Sequence, residues 1–281
     1  MAVTKTRRSS AKPLVAARHS APTRQASGAN GAYVYALDEA PWRELGRPGV
    51  KDKSVRRERE TGHYLGVIAF EPMSRSGLHQ HLGTALSYFL AGSLSDYQGS
   101  ASEGMAGINL AGATHDAVSY SGSLIASRLE GPVVVPEGVS AAHPIHGGAK
   151  AGRFVNPFPE RWPDINIRVA PLPLVPTHFP GIGRRMIFDY APTGDRRRFA
   201  ALTIMPHSPA IEIAHQGLTD WYVLGGDVAV NGKRAHANSF VVIEPGAHAA
   251  IKSEYGCQIL CWAEAPGMGE AQGRESELYG F

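Results

Sequence analysis

The sequence predicts an all-β protein made of two tandem copies of one β-unit, and three observations carry that prediction. Short apolar runs recur with turn residues every eight to twelve positions, the pattern of a sandwich or small barrel. No long stretch has the 3.6-residue periodicity of an amphipathic helix. Two segments match without a gap at an offset of 134 residues: Phe70-Glu71-Pro72-Met73-Ser74 to Gly92 and Gly112, and Ile204-Met205-Pro206-His207-Ser208 to Gly226 and Gly246. A repeat in a chain of 281 residues favours two ordinary domains over one large one.

The elements follow in order. Residues 62–70 form a β-rich run closed by Pro72, and 86–94 form a second. Residues 117–120, 123–129 and 132–135 complete the first copy, while the second reads as 185–190, 199–205, 221–230, 239–243 and 258–263. Asn231-Gly232 sits between alternating runs and suits a type I′ hairpin turn. Between the copies, residues 136–184 hold nine prolines from Pro136 to Pro180, which exclude a central strand or a long helix. The expected division is a basic tail at 1–30, a first domain at 31–150 and a second at 151–275.

Composition bounds the function. The net charge of +3 is an average over two regions. Residues 1–30 carry Lys5, Arg7, Arg8, Lys12, Arg18 and Arg24 and no acid, leaving 22 basic against 25 acidic residues elsewhere. The tail lacks the apolar core of a secretory signal and reads as disordered. No run approaches 18 consecutive apolar residues, so no transmembrane helix is expected. Nothing in the folded part points to nucleic acid. The two cysteines, Cys257 and Cys261, lie four apart on a predicted strand, about 13 Å from one another. That separation forbids a disulfide and points to core thiols in a reducing, cytoplasmic setting.

His79-Gln80-His81 is the sharpest local motif. Residues two apart on a strand face the same side, so both imidazoles can converge on one metal ion. Gly77 precedes them, Tyr88-Phe89-Leu90-Ala91-Gly92 follows, and Gly112-Ala113-Thr114-His115 comes next. The second copy is eroded: Ile213 stands for His79, Thr219 for Ala85 and Ala249 for His115. Only His215 keeps its place, with His248 one residue out of register and expected to point away. Glu212 and Asp220 are the acids that could complete an unusual second site.

These residues resemble the two cupin motifs, over roughly 60–130 and again over 194–264, so the chain resembles a bicupin. The resemblance implies two double-stranded β-helix (jelly-roll) barrels, with a divalent metal held in the first by His79, His81 and His115. The place four residues after His81, where the motif carries a glutamate, is Ala85. The local phrasing is similar to three-histidine cupins, a group that includes acetylacetone and 2,4'-dihydroxyacetophenone dioxygenases and anti-sigma-factor cupins. A neutral triad leaves positions open for a bidentate substrate and O2, and favours an anionic chelate. The resemblance implies Fe(II), with Zn(II), Ni(II) or Mn(II) as alternatives, in a homo-oligomer acting on a small dicarbonyl or hydroxyaromatic substrate. Its rival is a metal- or ligand-binding sensor without turnover.

Other residues have two readings each. Asp116 either orients a ligand or lies in a surface turn, and Ser87 either faces the metal or fills core. Arg128 either grips a substrate carboxylate or pairs with Glu130 at a strand end. His143 and His146, in Ala-His-Pro-Ile-His-Gly-Gly, belong to a lid over the first site or to an ordinary loop.

Overall fold

The computed structural model describes residues 25–26, 31–97, 99–136, 164–191, 194–271 and 273–279. The lid histidines, His143 and His146, and the basic tail apart from 25–26 fall outside them.

Each copy curls into an antiparallel barrel. In the first, the large sheet runs in the order Ile165–Arg168, Met105–Asn109, Ala85–Asp96, Ser123–Glu130, His63–Phe70, Val50–Arg57, Arg43–Arg47. Facing it is a small sheet of Thr114–His115, His79–His81 and Val133–Val134. The second copy repeats the plan. Ser239–Ile243, Thr219–Val230, Cys257–Ala263, Arg198–Ile204 and Ile182–Asp189 stand opposite His248–Lys252, Ile211–His215 and Gly267–Ala271. Registers coincide at the 134-residue offset: Ser87 pairs Ser127 as Trp221 pairs Cys261, and His79 pairs His115 as Ile213 pairs Ala249.

The predicted strands are present, with ends shifted by a few residues. The run expected at 117–120 is broken, because Thr114–His115 joins the small sheet and Val118–Ser119 pairs with Ser74–Arg75 and the far end of Ala85–Asp96. Asn231 and Gly232 have φ of +48° and +77° in a tight turn that pairs Val230 with Lys233. Both copies also need a glycine where the long strand bends. A Cβ on Gly92 would stand 2.0 Å from the Gly122 carbonyl oxygen, and one on Gly226 2.0 Å from that of Gly256.

The proline-rich connection does supply a strand, but only at an edge. Ile165–Arg168 ends the large sheet of the first barrel by pairing Met105–Asn109. Ala32–Ala36, which precedes the first copy, fills the same place in the second barrel by pairing Ser239–Ile243. Two pairings thus cross the division expected at residue 150, and each barrel lends the other an edge strand.

Alternation along each strand sends one face into its own barrel and the other toward the neighbour. Leu65, Leu86, Ile108 and Ala126 of the first copy share one buried cluster with Phe199, Tyr222, Leu260 and Trp262 of the second. Burial of such large apolar side chains, each contributing roughly 1.5–3 kcal/mol, holds the barrels sheet against sheet. The interiors differ. The second is filled by Trp221, Ile213, Val223, Val241 and Ile259, all 0% exposed. At the matching places the first copy has Ser87, His79, Phe89, Gly107 and Ile125, and the smaller side chains leave an open interior.

Among the described residues no helix is long and apolar enough to cross a membrane. Cys257 and Cys261 are free and buried, and burial pushes both thiols up to about 12.

Candidate metal centre

The strand His79–His81 and its partner Thr114–His115 bring three imidazoles to one point. Register places His115 directly across from His79, and His81 falls on the same face two residues on. The Nε2 atoms are 3.2 Å apart between His79 and His81, 3.1 Å between His81 and His115, and 3.0 Å between His115 and His79. All three side chains are buried. They are the group among the described residues whose donor atoms could hold a metal ion.

Each outer ring nitrogen that can be traced is tied back. His79 donates Nδ1–H to the Gly77 carbonyl at 2.7 Å, which leaves its Nε2 as a bare lone pair. His115 donates Nδ1–H to Asp96 Oδ2, also at 2.7 Å. Burial first, and then the neighbouring imidazoles, hold His79 and His81 well below the ordinary histidine range. His79 and His81 are therefore neutral donors, and the Nε2 atoms of all three rings aim at one another. Converging lone pairs repel unless a cation lies among them. Three nitrogens at about 2.1 Å from one ion, with angles near 90°, stand about 3 Å apart, so the donor set fits a divalent metal bound on one face.

The centre opens on a cavity of about 1260 Å³. Its walls are largely apolar, with Phe70, Phe89, Leu94 and Ile125, and it is polar at Asn109, Asn166 and the facing pair Ser87 and Ser127. The two serine hydroxyls are 3.0 Å apart. Ala85, 2% exposed, also faces this space, so no carboxylate enters from the glutamate position of the motif. Trp42 and the arginines Arg43, Arg57 and Arg59 stand at its rim.

The remaining sequence candidates separate. Ser87 lies in the cavity wall as its strand parity requires. Asp116 does not orient a histidine: Arg75 takes its Oδ2. Arg128 is 4% exposed and is not among the described residues lining the cavity. One residue on from Ser127, it points the opposite way, into the interface between barrels. There it meets Glu264 at 2.6 Å, Asp220 at 3.3 Å and Glu130 at 3.6 Å. A strand-end pair with Glu130 thus exists, inside a larger buried network in which Asp220 also holds Arg56. Asp220 is consequently spent on that network, while Glu212 and His248 are exposed, so none of them builds a second site. His215 is buried against Trp221 and Tyr279, with Nδ1 3.1 Å from Thr219 Oγ1.

Sequence reasoning missed Asp96. A signal was present: the strand position matched by Val230 in the second copy is an acid in the first. An acid on the inward face of a strand needs a partner, and His115 is that partner.

Two jelly-roll barrels in one chain, with a three-imidazole centre in the first, make a bicupin fold with one candidate metal site among the described residues. The comparisons with known proteins agree. Residues 30–133 match the family described as ChrR Cupin-like domain. A candidate dioxygenase from Nostoc punctiforme superposes with a TM-score of 0.65 at 10% identity, over 90% of this chain and 89% of that one. A candidate glyoxylate-induced protein from Pseudomonas aeruginosa gives 0.61 at 12% identity, over 88% and 93%. Oxalate decarboxylase from Bacillus subtilis gives 0.57 at 13%, over 88% and 78%. No curated protein sequence matches the chain. The chain has a bicupin fold, and residues 30–133, its first barrel, carry the ChrR cupin-like match.

Proposed function

We propose that the first barrel is a non-haem Fe(II) dioxygenase centre acting on a small dicarbonyl or hydroxyaromatic compound. The observation that carries this reading is the triad of His79, His81 and His115 facing the cavity, with Ala85 in place of a carboxylate. Bound there, iron would supply Lewis acidity and redox chemistry toward O2. The chain's own part is positioning. The Gly77 carbonyl and Asp96 fix two of the rings and their tautomers, which raises donor strength at Nε2. Phe70, Phe89 and Ile125 exclude water and hold the apolar body of a substrate. The hydroxyls of Ser87 and Ser127 offer a donor to a substrate oxygen deeper in the barrel. No charged side chain at position 85 competes with an anionic chelate. Small-molecule binding in the first barrel, a packed second barrel and free thiols suit a cytoplasmic enzyme.

The test is reconstitution with Fe(II) followed by O2 uptake with a panel of β-diketones and hydroxyaryl ketones. Uptake that needs both metal and substrate supports the reading, and a metal-loaded protein inert to the whole panel counts against it. The ChrR cupin-like match favours a second reading, a ligand sensor built on the same centre. Saturable diketone binding with no O2 consumption would decide for it.

A further inference from the structure

Arg47 lines the cavity and is left unused by the reading above. It closes the strand Arg43–Arg47 at the edge of the large sheet, where Arg47 pairs with Val50 in a tight turn. Its guanidinium lies over Gly77: a Cβ built on that glycine would be 3.6 Å from Arg47 Nε and 3.7 Å from Cζ. Gly77 is the residue whose carbonyl fixes His79, so a fixed positive charge sits beside the triad and lines the same cavity.

That charge shares its nearby acid with another arginine. Among the described residues the Arg47 guanidinium makes no hydrogen bond or ion pair, and the acid that acts on it, Asp116, also holds Arg75. Two arginines at the rim are differently placed. Arg43 donates to the Ser54 carbonyl at 3.1 Å and stands 3.6 Å from Asp52, and Arg57 meets Asp52 at 2.6 Å. A half-buried cation without a partner is costly, and a ligand that supplies the anion recovers the cost. The planar fork of a guanidinium matches a carboxylate, two N–H groups to two oxygens.

We propose that Arg47 selects carboxylate-bearing chelators, so that the ligand of the first barrel is a 2-oxo acid with an apolar side chain. Its carboxylate meets Arg47 beside His79, its oxo oxygen faces the triad, and its tail lies against Phe70, Phe89, Leu94 and Ile125. This rests on the metal reading given above and narrows it from dicarbonyls in general to those with an acid group.

The test uses the full chain loaded with Co(II), whose visible absorption reports ligand binding, and two probes of one shape. These are 3-phenyl-2-oxopropanoate and its neutral isostere 1-phenylbutane-2,3-dione. The wild type should bind the oxo acid at least about tenfold more tightly than the diketone. Arg47→Met should erase that preference while keeping the metal and the diketone affinity, and Arg47→Lys should keep part of it. Equal binding of both probes by the wild type, or a preference that survives in Arg47→Met, would overturn the role of Arg47 and leave the metal centre standing. A chain that takes up no Co(II) would overturn both. If Arg47→Met does not fold, the wild-type ratio and Arg47→Lys decide.

Discussion

His115 Nδ1 and Asp96 Oδ2 stand 2.7 Å apart, the acid from the far end of the long strand and the imidazole from the small sheet opposite. The contact couples the two faces of the first barrel at the metal centre. It fixes the ring of His115 and adds electron density to its Nε2. Asp96→Ala should therefore weaken divalent metal binding about 10–100-fold while leaving the three histidines in place. Competition against a chromophoric chelator measures this, and unchanged affinity would show that the contact only packs.

The two interiors differ chiefly at matched positions, Ser87 and Trp221. Trp221→Ser in the packed barrel should cost about 3–5 kcal/mol in urea unfolding, because it empties a fully buried site. Ser87→Trp in the open barrel should abolish binding of a diketone probe and leave the metal content at one per chain. Retained probe binding would mean that the cavity is not the ligand site.

Arg128 faces away from that cavity, and its removal would leave Asp220 and Glu264 with less positive charge in the interface. Arg128→Ala should lower stability by about 3–5 kcal/mol, as breaking a buried ion pair does, with metal content unaltered. A loss of metal with no loss of stability would return Arg128 to the site.

Acid should loosen the second barrel. Burial, with a smaller push from His248, holds His215 at about 4, against about 6.5 for an unfolded histidine. Between these values the unfolded chain takes up a proton that the folded chain refuses, so stability is full above about pH 6.5 and falls as pH drops toward 4. The contribution is on the order of 3 kcal/mol. Urea midpoints at pH 7 and pH 4.5 should converge in His215→Leu relative to wild type, and parallel losses in the two proteins would refute the assignment.

The strand positions and the shared face of His79 and His81 were legible because they depend on spacing. His115 entered through the resemblance to the cupin motifs, and the pairing of His115 with His79 shows why the three meet. Asp96 was harder, since its role depends on a strand long enough to bend at Gly92 and return beneath the opposite sheet. Arg47 has no local signature at all, because a lone arginine in a hairpin becomes informative only when the fold lays it over Gly77. Arg128 and Asp220 were read as site candidates since their outward parity serves a barrel-to-barrel interface that no local pattern announces. The exchange of Ala32–Ala36 and Ile165–Arg168 was hidden for the same reason: edge pairing is set by topology, not by the strand's own residues.

The central claim is one divalent metal held by three histidines in the first barrel and none in the second. Elemental analysis of Fe(II)-reconstituted protein, wild type beside His81→Ala, tests it most directly. The account predicts one metal per chain in the wild type and none in His81→Ala. No metal in either protein, or one metal retained without His81, would contradict it.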